Sequence, residues 1–259
     1  MARRLCEQQT SPLVTSRKNI ASPPAHSTVA PLRFDLHDAS TWPTIAEAVG
    51  TATSILWCFP AEPLHLVQQF ATAVDLSRRP LVVLGSTGSY RMPEPVAAHN
   101  ASPPDWVDER SPLDETIPRV QGEEWLREHF GAVVLRVAGI YGPGRYPLHW
   151  IRQGRVGASP KFVNLIHVED LAQACIDALD HGGPGQIYNV SDGAPRAWKE
   201  ICEWAARCWG IVVQTKEGPS TVGKRIDSTK LRKELGVTLR YPDLYAALET
   251  IEQTERPQT

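Results

Sequence analysis

The positions at which this chain could do chemistry lie where a polar or titratable side chain follows an apolar run. Gly85-Ser86-Thr87-Gly88 closes the run Leu81-Val82-Val83-Leu84. There the hydroxyl of Ser86 or Thr87 can hydrogen-bond a substrate hydroxyl or carbonyl, and the glycines permit close backbone approach. Tyr90 and Tyr141 are the nearby phenols, and either could move a proton. His167 precedes Val168-Glu169-Asp170, and imidazole is the side chain whose ordinary titration falls near neutrality. Arg145 follows Gly142-Pro143-Gly144 and offers a guanidinium fork that meets a phosphate bidentately. Asp35 ends another short apolar run, where its carboxylate can accept from an amino group. Plainer roles stand beside these: turn residues, a surface charge, an imidazole held by a cap or carboxylate, a phenol packed at a strand end.

The elements that must position these residues are legible in the apolar punctuation. Residues 12–16 and Leu32-Arg33-Phe34 read as short strands. Ser54–Phe59, Leu81–Leu84 and Ala132–Val137 are unbroken apolar runs, each ended by proline, glycine or a turn. Such runs suit strands buried on both faces of a parallel sheet. Between them, Thr44–Val49, Leu64–Val74 and roughly Val120–Glu128 carry helical spacing, with a proline-rich polar loop from Met92 to about Pro118. Alternating strands and helices predict βαβ units, right-handed crossovers and a doubly wound parallel sheet. Ligands of such sheets bind beyond the carboxyl ends of the strands. Farther on, Val168–Leu179, Arg196–Trp209, Ser228–Leu235 (capped by Ser228, stopped by Gly236) and Leu244–Glu252 read as helices, and Ile187–Val190 as a strand. The expected organisation is a Rossmann-like part over 1–150, a mixed α/β substrate lobe over 151–253 and a frayed tail at 254–259.

Composition excludes several classes. The chain has 259 residues, 42% hydrophobic and 22% charged, with a net charge of −2. No run approaches the ~18 consecutive apolar residues of a membrane helix. The balanced charge argues against a general nucleic-acid binder. The tryptophans lack the basic interleaving of a nucleic-acid stacking platform. The five cysteines (6, 58, 175, 202 and 208) form no CxxC pair. They read as buried thiols in a reducing compartment, with neither a disulfide framework nor a metal site. The basic, serine-rich, acid-poor start reads as a short helix at 2–9 followed by strand and loop, the alternative being an organellar transit peptide. A cytoplasmic location is expected.

Four segments resemble the extended short-chain dehydrogenase/reductase superfamily, of the NAD-dependent epimerase/dehydratase kind: LVVLGSTGSY at Leu81–Tyr90, VLRVAGIYGPGR at Val134–Arg145, NLIHVEDLAQACIDAL at Asn164–Leu179 and QIYNVSDG at Gln186–Gly193. Together they span about residues 32–250. The resemblance implies an α/β Rossmann-like sheet with a small C-terminal lobe, a nicotinamide dinucleotide, and a small polar substrate such as a nucleotide sugar. It puts Ser86, Thr87, Tyr90 and Arg119 in catalytic places, and Tyr141, Arg145 and His167 beside substrate. It puts Arg17, Lys18, Asp35, Leu36, Cys58, Phe59, Pro60, Ala138 and Ile140 along the cofactor. Arg17 and Lys18 at a strand end favour the 2′-phosphate of NADP over NAD. By analogy the protomers pair as homodimers; no nucleic acid, membrane or metal is expected.

Two departures from the family pattern stand out. The superfamily opens on a strand and G-x-x-G-x-x-G, whereas the first glycine here is Gly50. Met1–Gln8 resembles the helix after that loop, so the expectation is a fold whose first strand and glycine turn are missing. The family's acid/base is Y-x-x-x-K, yet residues 92–129 hold neither tyrosine nor lysine. Counting back from Glu123 sets Glu115 and Arg119 near those places. Arg119 can supply positive charge to a ribose or phosphate but cannot donate a proton at neutral pH. The expected activity is that of an epimerase, dehydratase or reductase with an atypical site. The alternative is a catalytically silent ligand-binding scaffold.

Overall fold

The computed structural model describes residues 12–17, 31–92, 103–213 and 222–255. The helix expected at 2–9, Lys18, Cys6 and the last four residues lie outside these. In chain order the first elements are β1 (Thr15–Ser16), β2 (Leu32–Arg33), α1 (Trp42–Thr51), β3 (Ile55–Trp57), α2 (Leu64–Val74), β4 (Leu81–Ser86) and β5 (Trp106–Val107). Next come α3 (Pro118–Phe130), β6 (Val133–Val137), β7 (Gly139–Tyr141), α4 (Pro147–Arg152), β8 (Phe162–Val163), β9 (Leu165–His167) and α5 (Val168–His181). The last are β10 (Ile187–Val190), β11 (Arg196–Ala197), α6 (Trp198–Trp209), β12 (Arg225–Ile226), α7 (Thr229–Leu235) and α8 (Leu244–Glu255). No helix among the described residues is long and apolar enough to cross a membrane.

The chain divides into two compact units interleaved in sequence: Met1–Ser89 with Leu113–Arg136 and Ala172–Tyr188, and Tyr90–Pro112 with Val137–Leu171 and Asn189–Thr259. The unbroken apolar runs become strands of the four-stranded sheet β10-β6-β4-β3, with β3 and β4 parallel. β1 and β2 form a separate parallel pair. Every residue of β6 is buried, as expected of a strand covered on both faces. Aromatic rings fill the core around Phe70, with Phe34 at 5.0 Å, Trp42 at 5.5 Å and Trp57 at 5.7 Å between centroids. Gly122 on α3 allows that helix to meet the backbone at Ala61, because a Cβ there would lie 1.9 Å from the Ala61 carbonyl oxygen.

The second unit is built from small pairs: β5 with β12 and β7 with β9 in parallel, β8 with β11 antiparallel. Its core joins Tyr141, Leu148, Ile151 and Leu165 to Ile201, Trp204, Leu244 and Leu248. The apolar stripe of α6 therefore packs this lobe, as its spacing predicts.

Several local expectations are corrected. The proline-rich segment holds β5, whose Trp106 opposes Arg225 in the pairing with β12. The guanidinium lies 4.4 Å from the Trp106 ring centroid, and a cation over an indole face is an attraction that residue spacing does not reveal. Arg196–Ala197 pairs as β11 before α6 begins at Trp198. Ser228 precedes α7 but does not cap it: its hydroxyl donates to the Ser191 carbonyl, and Asp227 accepts from the Thr229 N–H at 2.8 Å. The last helix runs on to Glu255. Cys175 and Cys202 are buried as expected, whereas Cys58 and Cys208 are exposed.

Candidate functional site

The candidate residues of the first unit collect at strand ends. Asp35 follows β2, and its Oδ1 accepts from the His37 N–H at 3.0 Å. That hydrogen bond, with Arg17 assisting against some desolvation, holds its carboxyl below the usual range. Arg17 Nε lies 3.5 Å from Asp35 Oδ2, so two residues expected along a cofactor face each other. Leu36 is a core side chain beside Phe34. After β3, Cys58 and Pro60 are exposed and Phe59 is half-buried, its ring 4.6 Å from that of Trp57. At the end of β4, Ser86 and Thr87 are half-buried, and the Gly88 N–H donates to Ser86 Oγ at 3.0 Å.

Arg119, on the first turn of α3, reaches the end of the same strand. Its Nη2 donates to the Leu84 carbonyl at 2.8 Å and its Nε to Glu123 Oε1 at 2.7 Å. Glu123 is fully buried, and its Oε2 has no hydrogen-bond partner. Burial pushes its carboxyl up from the ordinary range, against the pull of Arg119. A Cβ at Gly85 would lie 2.7 Å from Glu123 Oε2. The glycine is thus required by the buried carboxyl beneath it, whatever else passes over the strand end. Glu123 went unnoticed in the sequence as a site residue, although its spacing four residues after Arg119 was the available signal. Glu115, set near the place of the family tyrosine, is exposed.

The remaining candidates belong to the second unit. Tyr90 is buried and its hydroxyl donates to Asn189 Oδ1 at 2.7 Å. Asn189 in turn donates its backbone N–H to Glu109 and its Nδ2 to the Asp227 carbonyl, and the Lys224 ammonium donates to the Tyr90 carbonyl. This is a cross-strand polar lattice, and it commits the Tyr90 proton. Ala138 is buried with its N–H on the Val190 carbonyl, and Ile140 sits opposite Ile166 in the β7–β9 register.

That register brings Tyr141 and His167 together, with ring centroids 5.2 Å apart and edge to face. Tyr141 is 1% exposed, and its hydroxyl has no hydrogen-bond partner. Burial first, then Asp192 and Asp170, push its pKa far above the ordinary phenol value, so it stays a neutral phenol. His167 Nδ1 accepts from the Glu169 N–H at 3.2 Å, and its ring lies 3.8 Å from that of Tyr241. Burial lowers its pKa, against Asp170 and Glu169, and keeps the imidazole neutral near pH 7. Asp170 accepts from the backbone N–H groups of Arg240 and Tyr241, which fixes the residue that follows the His-Val-Glu run.

Arg145 is exposed, and no described residue pairs with its guanidinium. It lines a cavity of about 590 Å³ together with Gly144, His149, Trp150, Gln153 and Arg155. Tyr141 and His167 do not line that cavity.

No family model matches the chain. Protein YeeZ of Escherichia coli K12 is 29% identical over 175 residues, which are 62% of this chain and 63% of YeeZ. The chain thus matches under two thirds of the length of this curated relative. A solved structure from Methylobacillus flagellatus, provisionally described as an NAD-dependent epimerase/dehydratase, is 25% identical with a TM-score of 0.77, over 99% of this chain and 94% of that one. MoeE5, solved with UDP-glucuronic acid and NAD, is 17% identical with a TM-score of 0.74, over 98% and 93% of the two chains, a likeness of fold. By its parallel sheet, its strand-end motifs and these matches, the chain is similar to NAD-dependent epimerase/dehydratase proteins.

Proposed function

We propose that this chain binds NAD or NADP and acts as an epimerase, dehydratase or reductase on a small polar substrate of the nucleotide-sugar class. The observation that carries the reading is the end of β4. Half-buried Ser86 and Thr87 end the strand on whose Leu84 carbonyl the Arg119 guanidinium is held. A fixed cation and two hydroxyls beyond the carboxyl end of a parallel strand form a donor set that fits the ribose and nicotinamide end of a dinucleotide. Asp35, a half-buried carboxylate after β2, fits its other end as an acceptor. When bound, the dinucleotide would supply the hydride acceptor or donor. Arg119 would hold a ribose or phosphate, and Ser86 and Thr87 would orient the reacting hydroxyl or carbonyl. MoeE5, crystallised with a UDP-sugar and NAD, supports the substrate class. NADP over NAD follows from Arg17 and Lys18 and is part of the proposal.

A second reading, a silent scaffold that binds the same ligands, is favoured by the state of the phenols. Tyr90 has its proton on Asn189, and Tyr141 is sealed from solvent. Mixing the purified chain with a UDP-sugar and either dinucleotide, and following both by mass spectrometry and reduced-nicotinamide absorbance, separates the two readings. Conversion of the sugar supports the enzyme; dinucleotide binding with no conversion supports the scaffold.

A further inference from the structure

The proposed chemistry leaves one buried acid on α3 unused. Glu123 is 0% exposed. One of its carboxyl oxygens accepts from Arg119 Nε at 2.7 Å, and the other has no hydrogen-bond partner. That second oxygen lies against Gly85 of β4, so close that a Cβ there would stand 2.7 Å from it. A buried carboxylate is costly when it is charged and only half satisfied. The charged groups that face it are Arg119 and Glu124 on α3 and Arg136 on β6. β4 meets it with Gly85, which has no side chain, and α2 buries only Val67, Phe70, Ala71 and Val74. Arg136 is itself committed, because its Nη2 donates to Glu124 at 2.7 Å. Burial outweighs the two guanidinium groups and pushes the Glu123 carboxyl up from its ordinary range.

A second observation is the way Arg119 is held. Its Nε–H and one Nη2–H are taken by Glu123 and by the Leu84 carbonyl. Of the five N–H groups of a guanidinium, the other three have no partner among the described residues, and the side chain is 24% exposed. An anion on that open edge meets a full positive charge only when Glu123 is neutral. With Glu123 ionised, the charges of the pair sum to zero. Protonation of Glu123 and binding of an anion at Arg119 therefore favour each other, and the coupling is reciprocal.

We propose that Glu123 is a positioning residue that takes up a proton as a dinucleotide binds, turning the Arg119–Glu123 pair from a neutral couple into a fixed cation. The proton comes from solvent and goes to Oε2, the oxygen that Arg119 leaves free. Glu123 touches neither ligand nor reacting atoms and acts through Arg119. The proposal rests on the reading of the β4 end as a dinucleotide site.

The test titrates the full chain with NADH between pH 6 and 8.5 by calorimetry. NADH lacks the 2′-phosphate that would itself titrate in this range. The natural chain is compared with Glu123→Gln and with Glu128→Gln, which removes an exposed charge from the same helix, at constant ionic strength. The natural chain should bind severalfold tighter at pH 6 than at 8.5 and take up protons, counted from the heats in two buffers of different ionisation enthalpy. Glu123→Gln should bind equally across the range and severalfold tighter than the natural chain at pH 8.5, which a variant that merely loosened α3 would not do. Glu128→Gln should follow the natural chain. Binding without proton uptake by the natural chain, or an unchanged pH slope in Glu123→Gln, overturns the coupling. The proton count needs no variant, so it decides the matter even where Glu123→Gln does not fold. Denaturation without ligand separates this proposal from the dinucleotide reading. A raised folded pKa means that stability is lost as pH rises from about 4.3, the unfolded value, through the folded one. The stability of the natural chain relative to Glu123→Gln should therefore fall between pH 5 and 8.5. A constant difference overturns the proton on Glu123. A falling difference with no NADH binding in any of the proteins supports that proton and overturns the dinucleotide reading.

Discussion

Two buried tyrosines make opposite predictions from one physical rule. Tyr90 donates to Asn189, so Tyr90→Phe leaves a buried amide oxygen without its partner. That should cost about 1–3 kcal/mol in chemical denaturation. Tyr141 has no partner for its hydroxyl, so Tyr141→Phe removes an unsatisfied group and should leave stability unchanged or raised. An equal loss in both variants would contradict the assignment. His167 supplies the pH test. Its folded pKa lies below its unfolded value because burial favours the neutral ring. A depressed pKa contributes stability above the unfolded value, near 6.5, that is lost as pH falls toward the folded value. The stability of the natural chain should therefore decline below about pH 6.5, and a variant such as His167→Gln should show a shallower decline over the same window. Denaturation midpoints measured between pH 7.5 and 5 decide it. A parallel decline in both proteins would remove His167 as the cause.

Packing between elements rests on two glycines whose roles differ from what a motif would assign. Gly122 sits inside α3, where alanine ordinarily gains about 0.8–1.0 kcal/mol of helix propensity. Because its Cβ would enter the Ala61 carbonyl at 1.9 Å, Gly122→Ala should instead destabilise by several kcal/mol, read from the thermal midpoint. Gly85→Ala should cost about 1–3 kcal/mol as an overpacked core site, because the new methyl meets Glu123 at 2.7 Å. A neutral result at either position would contradict the close approach. These examples also mark what the sequence could and could not tell. The apolar runs gave the strands of the sheet because burial on both faces writes itself as continuous hydrophobicity. The amphipathic spacing over Leu64–Val74 and Arg196–Trp209 gave helices for the same reason, the second beginning two residues later, at Trp198. Two-residue strands such as Trp106–Val107 leave no period to detect, and they form through long-range pairing. Ser228 carries the residue type of a cap, but tertiary bonding took its hydroxyl to Ser191 and left the capping to Asp227. Of the candidate site, the strand-end hydroxyls were readable from position, whereas the Tyr141–His167 contact comes from the β7–β9 register. The buried Glu123 and the cavity around Arg145 depend on three-dimensional packing that spacing alone does not encode.

At the scale of the molecule, the fold rests on the four-stranded sheet and its likeness to solved structures, while the chemistry turns on whether the end of β4 receives a dinucleotide. Arg119, on the first turn of α3, is fixed by Leu84 and Glu123, so its charge is preorganised rather than mobile. A positively charged group held in that way contributes to binding even where it cannot move a proton. Binding is measured directly by titrating the chain with NADH and with NADPH while following nicotinamide fluorescence, in the natural protein and in Arg119→Met. The account predicts saturable binding, tighter for NADPH, that weakens by about tenfold or more when Arg119 is replaced. No saturable binding of either dinucleotide, or binding that Arg119→Met leaves unchanged, would contradict it.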